Sequence, residues 1–96
     1  MALTDTITNL DEEIKDRNVL EIIGSVEYQL ELLNPNGTIN HKRDNAKTIL
    51  FFISEEVETA YPRGITMQQY KSKDAKGYSA LLNTLKGSIE RFSVQI

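Results

Sequence analysis

An all-α fold, a small bundle of about four helices with antiparallel neighbours, is what this sequence predicts. Apolar residues recur at helical spacing in three separate segments, and good helix formers fill the positions between them. Two turn signals, Asn34-Pro35-Asn36-Gly37 and Tyr61-Pro62-Arg63-Gly64, cut the chain into helix-sized pieces. With 96 residues there is room for one core, so 1–96 reads as a single domain. A chain of this size buries roughly 60–65% of its unfolded surface, which leaves a thin margin of stability and makes self-association a natural remedy.

The first segment opens at Thr4 or Asp5 as N-cap and continues through Leu3, Ile7, Leu10 and Ile14 at helical spacing. Asp16-Arg17-Asn18 then interrupts or merely solvates it. From Val19 to Leu33 a second helix carries Val19, Ile22, Ile23, Val26, Leu30 and Leu33 on one stripe. At about 100° per residue, Tyr28 and Leu32 fall nearly opposite that stripe. The alternative is an α+β fold with a hairpin around residues 26–40. There Val26, Tyr28, Leu30 and Leu32 alternate as in a strand and return through Thr38 and Ile39. The longer helical stripe, with Glu21, Glu27, Gln29 and Glu31 between its members, favours the helix.

Asp44 is expected to cap the third helix, whose inner face holds Ala46, Ile49, Leu50, Ile53, Val57, Ala60 and Tyr61. Phe51 falls on its polar side among Glu55 and Glu58. A loop from Pro62 to about Lys73 follows. The fourth helix starts near Asp74 and places Tyr78, Leu81, Leu82, Leu85, Ile89 and Phe92 on a narrow stripe. Its back carries Ser79, Ala80, Asn83, Thr84 and Gly87, small groups that permit close approach. Phe92 to Ile96 reads as a frayed tail or a short strand.

Composition narrows the chemistry. There is no cysteine, so disulfides and thiolate–zinc sites are out of reach, and a reducing, cytoplasmic home is expected. His41 is the one histidine and sits beside Lys42 and Arg43 in what reads as a loop, so no multi-histidine metal site and no Ser-His triad is expected. Neither a phosphate-binding Gly-x-x-x-x-Gly-Lys loop nor a Gly-x-Gly-x-x-Gly turn occurs. The start of the chain lacks the pattern of a signal peptide, and no apolar run nears the roughly 20 residues of a membrane span. Glu13 with Asp16, and Glu55 with Glu58, share helix faces and define a metal-dependent helical hydrolase as the remaining enzymatic reading. Both pairs lie on polar sides, where carboxylates solubilise. No cofactor is expected.

Net charge is −3 but unevenly spread. Residues 1–33 hold eight acids against two bases, net −6, and residues 61–96 hold six bases against two acids, net +4. Acidic and basic helices packed beside each other, within one chain or between copies, account for this. Nucleic acid and membrane are not expected partners.

Leu82-Asn83-Thr84-Leu85-Lys86-Gly87-Ser88 resembles the His-x-Leu-Lys-Gly-Ser core of histidine phosphotransfer domains, which are helical bundles too. Asn83 stands where that family has its phospho-accepting histidine. An amide cannot take the phosphoryl group, so the resemblance implies no phosphotransfer here.

Two functional expectations remain. The first is a non-catalytic interaction or regulatory protein that binds or blocks a macromolecular partner, assembled as a homo-oligomer through Tyr28, Leu32 and Phe51. The alternative is a module that sequesters a nucleotide or another phosphorylated small molecule through residues 61–78. There Tyr61 and Tyr70 would stack on a base, while Arg63, Lys71, Lys73 and Lys76 neutralise phosphate. For the fold, far-UV circular dichroism is the direct check: the paired minima of α-helix should dominate, and a substantial strand signal would restore the hairpin.

Overall fold

The computed structural model of the chain describes residues 9–33 and 40–96. The five helices in this range are α1 (Leu10–Ile14), α2 (Val19–Leu32), α3 (His41–Ala60), α4 (Met67–Lys73) and α5 (Ala75–Phe92). Among the described residues there is no strand, and one isolated bridge joins Asn18 to Thr66. The fold is an all-α bundle, and the hairpin alternative fails because Val26 to Leu32 lies inside α2. Thr4, Asp5, Leu3 and Ile7 lie outside the described residues, as does the turn at 34–37.

Asp16-Arg17-Asn18 does break the first segment. α1 has already ended at Ile14, and the Asn18 side-chain oxygen accepts from the N–H groups of Leu20 (3.0 Å) and Glu21 (3.4 Å) to start α2. The cap of α3 is Asn40 and not Asp44: the Asn40 side chain accepts from the Arg43 N–H at 3.0 Å. Asp44 instead sits in the first turn, where a carboxylate is favoured by the helix dipole and here binds Arg43. His41, expected in a loop, is therefore the first helical residue and is exposed.

The expected loop from Pro62 to Lys73 is overturned in its second half, which folds as α4. Thr66 and Gln69 form a reciprocal capping box, each side chain bonded to the other's backbone N–H (3.1 and 3.2 Å). Met67 and Tyr70 then point inward. Asp74 ends α4 and caps α5 through the Gly77 N–H at 3.0 Å, as the sequence indicates.

The core is continuous. Val19, Ile22, Ile23, Val26 and Leu30 of α2 meet Leu50, Ile53 and Val57 of α3, with Tyr78, Leu81, Leu85 and Ile89 of α5. Leu10 and Ile14 of α1, and Met67 and Tyr70 of α4, extend the core beyond these three helices. The buried stripes are narrower than the spacing predicts: Leu33 and Ile49 are exposed large hydrophobics and Ala60 is exposed. Residues 92–96 are neither strand nor frayed. Ser93 ends α5 in the left-handed region (φ 54°), Val94 is buried, and Gln29 clamps the tail to α2. That clamp is reciprocal: the Gln29 amide donates to the Gln95 carbonyl (2.6 Å) and accepts from its N–H (2.8 Å).

Where α1 breaks and α4 begins, the two segments bond through their backbones. Val19 N–H donates to the Ile65 carbonyl, Met67 N–H to that of Arg17 and Gln68 N–H to that of Lys15, each at 2.9 Å. Gly64 lets the chain reach this position. Its φ is +93°, and a Cβ there would stand 2.7 Å from the Asn18 amide nitrogen. Gly64→Ala should therefore lower unfolding free energy by about 1–3 kcal/mol in a urea titration.

Candidate functional site

The aromatic residues of the expected 61–78 site are turned to structural use. Tyr70 is 2% exposed, and its ring meets that of Tyr61 edge-on at a centroid distance of 6.5 Å. Its hydroxyl end lies over Gly77, at a spot where any side chain on residue 77 would collide. Tyr70 thus presents no face for a base to stack on, which corrects the sequence expectation. Tyr61 is half-buried at the C-cap of α3. Tyr78 is core, as its place on the α5 stripe requires.

The four cations are all exposed. Arg63 lies in the turn before α4, and α4 itself separates it from Lys73 by about 10 Å of helix. Lys71 holds its ammonium 5.5 Å from the centre of the Tyr78 ring, a contact internal to the fold. Lys73 and Lys76 flank Asp74, whose carboxylate is already engaged as a cap. The cleft beside Tyr61 and Tyr70 is lined by Glu56 and Asp74 and by no base.

The carboxylate pairs stay where the sequence puts them. Glu13, Asp16, Glu55 and Glu58 are all exposed, and no three His, Asp or Glu side chains converge among the described residues.

Tyr28, Leu32 and Phe51 are 66%, 59% and 56% exposed. Leu33 and Phe52 join them, and with Ile49 these are the exposed large hydrophobics of the described residues. All six come from α2, its C-cap or α3. Leu33 and Phe52 escaped sequence reasoning, although a signal existed: of the neighbours Phe51 and Phe52, a single stripe can absorb neither without turning the other away.

One ion pair crosses between the two helices beside these residues. Lys47 of α3 binds Glu31 near the end of α2. Tyr28 lies one turn before Glu31, and Phe51 one turn after Lys47. The hydrogen bond from Lys47 holds the Glu31 carboxyl below the usual carboxylate range. Glu27, on the same side, is pushed up by burial against the pull of Lys47.

No family model, curated protein or solved structure matches this chain.

Burial, with smaller contributions from Asp74, Glu56 and Tyr61, pushes the Tyr70 hydroxyl from its ordinary 10 up to about 12. The fold disfavours the phenolate, so stability held below pH 10 is lost as pH rises towards 12. Tyr70's share of the loss, discounted for screening by solvent, should be about 1–2 kcal/mol in denaturant titrations run across that window. Tyr70→Phe should flatten the profile by that amount.

Proposed function

We propose that this protein is a non-catalytic interaction module whose working surface is the outer side of the α2–α3 hairpin, and that its first partner is a second copy of itself. The observation that carries the reading is the concentration of Tyr28, Leu32, Leu33, Phe51 and Phe52 on that one hairpin, each at least half exposed. Large apolar groups clustered outside the core mark protein-binding surfaces. Burying one such side chain is worth about 1.5–3 kcal/mol, a sizeable gain beside the few kcal/mol that hold so small a domain.

A regulatory or blocking role follows if the same surface is offered to another protein in place of the second copy. The absence of cysteine is compatible with a reducing, cytoplasmic setting. Among the described residues no helix is long and apolar enough to cross a membrane.

Multi-angle light scattering at micromolar concentration is the test. The wild-type chain should run as a dimer or larger, at a multiple of 10.9 kDa. Tyr28→Ser/Leu32→Ser/Phe51→Ser should run as a monomer with its helical circular dichroism intact, because none of the three contributes to the core. A monomeric wild type, or unchanged assembly in the triple variant, would reject the surface.

A further inference from the structure

The end of α3 carries an electrostatic imbalance. A helix C-terminus is negative and is stabilised by nearby cations, yet α3 has no base in its last turn and holds Glu55, Glu56 and Glu58 close to its end. None of these three forms an ion pair among the described residues. Between this end and the junction of α4 with α5 lies a cleft of about 150 Å³. Val57, Ala60 and Tyr61 wall it on the α3 side, and the exposed Glu56 and Asp74 add a carboxylate from each side. Asp74 spends only its Oδ1 on the Gly77 cap, so its Oδ2 is left over.

Tyr70 separates this cleft from an ordinary acidic surface. It lines the cleft and is 2% exposed, and its hydroxyl has no hydrogen-bond partner among the described residues. Ser88 holds the one unpaired side-chain oxygen that is closed off from solvent, so the Tyr70 hydroxyl is unpaired and still reachable. A Cβ on residue 77 would collide with both that hydroxyl and the Asp74 Oδ2, which places the two oxygens over the same spot at the start of α5. Polar groups in nearly buried side chains are seldom left unpaired, and a shared donor would satisfy both oxygens at once. Burial pushes the Tyr70 hydroxyl up to about 12, and the charges of Asp74 and Glu56 add to it, so the negative field of the cleft reaches this oxygen.

We propose that this cleft binds a primary alkylammonium ion, its three N–H groups shared among Glu56, Asp74 and the Tyr70 hydroxyl and its stem lying against Ala60 and Tyr61. An ammonium brings three donors and no acceptor, which matches a site made of acceptors only. The half-buried Tyr61 ring adds cation–π attraction. A divalent metal fits less well, because it demands about six or more oxygens and no three Asp, Glu or His converge among the described residues. The volume lies well below the roughly 300 Å³ of ordinary ligand pockets, so the cleft takes a charged head and a short stem. None of Tyr28, Leu32, Leu33, Phe51 or Phe52 lines it, and its occupation does not depend on the assembly proposed above.

The experiment is a proton–nitrogen NMR titration of the full chain with n-butylammonium chloride at neutral pH. Saturable shifts confined to residues 56–61 and 70–77 are expected. Potassium chloride at equal ionic strength should leave those residues unmoved, because it offers charge without N–H donors or a stem. A third arm with Nα-acetyl-lysine amide separates two sources of the head: failure to bind assigns a free amine, and equal binding extends the site to a lysine side chain. Glu56→Gln/Asp74→Asn should abolish binding with helical circular dichroism intact, since asparagine still caps α5 and Glu56 is exposed. Tyr70→Phe should weaken n-butylammonium about tenfold, an effect that general attraction to acidic surface would not show. Should the double variant fail to fold, Glu56→Gln alone should weaken binding by a similar factor. The proposal is overturned by no saturation up to about 10 mM, by equal shifts with potassium, by shifts spread over acidic α1 and α2, or by unchanged binding in Tyr70→Phe or Glu56→Gln.

Discussion

The fold depends on the crossing of two helix-boundary segments, residues 15–19 and 64–68, from opposite halves of the chain. A helix that stops in the interior leaves backbone N–H and C=O groups without partners, and such groups are costly away from water. Here two interruptions meet and satisfy one another through three backbone hydrogen bonds. Val19, Ile65 and Met67, all buried, close over the crossing. Asn18 serves both sides, capping α2 with its oxygen while its amide nitrogen fills the space above Gly64. Without this crossing α1 and α4 would have no fixed place. Each is too short to be stable alone.

From that point the bundle follows by packing. α4, once anchored, carries Tyr70 over Gly77 onto the start of α5, and α5 in turn backs onto α3 and α2. The tail is drawn in by Gln29 and by the burial of Val94. Charges contribute little to this. Glu31–Lys47 is the one ion pair joining two helices among the described residues, and its carboxylate is exposed, where such pairs contribute little. The buried faces of α2 and α3 fix how the two helices lie, and the pair forms between the rows this packing leaves outside. The acidic helix α1 does come to rest beside basic α4, with Asp11, Glu12 and Lys71 bordering one small cleft. Part of the charge asymmetry is thus absorbed within the chain.

Much of the helical layout was legible because helix stripes are local. Val19 to Leu30 and Tyr78 to Ile89 announce their buried faces by spacing alone, and Asp74 announces the start of α5. The signal for α4 was present too: Thr66 and Gln69 stand at capping-box spacing, yet the Pro-Gly turn before them and the lysines after them read as loop. The candidate surfaces divide in the same way. Tyr28, Leu32 and Phe51 could be found because each falls off a stripe, a property of one helix. The 61–78 cluster misled because aromatics and cations interleaved in sequence need not be together in space. Tyr70 went to the core, and the bases scattered along α4 and its two ends.

By itself the sequence determined the all-α class, most of the buried face of each long helix, the start of α5 at Asp74 and the absence of thiol chemistry. These rest on residue identity and on periodicity within one segment. Tertiary structure alone decided the pairing of residues 15–19 with 65–68, the burial of Tyr70, and the clamp that Gln29 places on the C-terminal tail. Each of these is a relation between distant segments, set by which buried backbone groups can satisfy one another and which apolar faces can close. No local spacing encodes that choice.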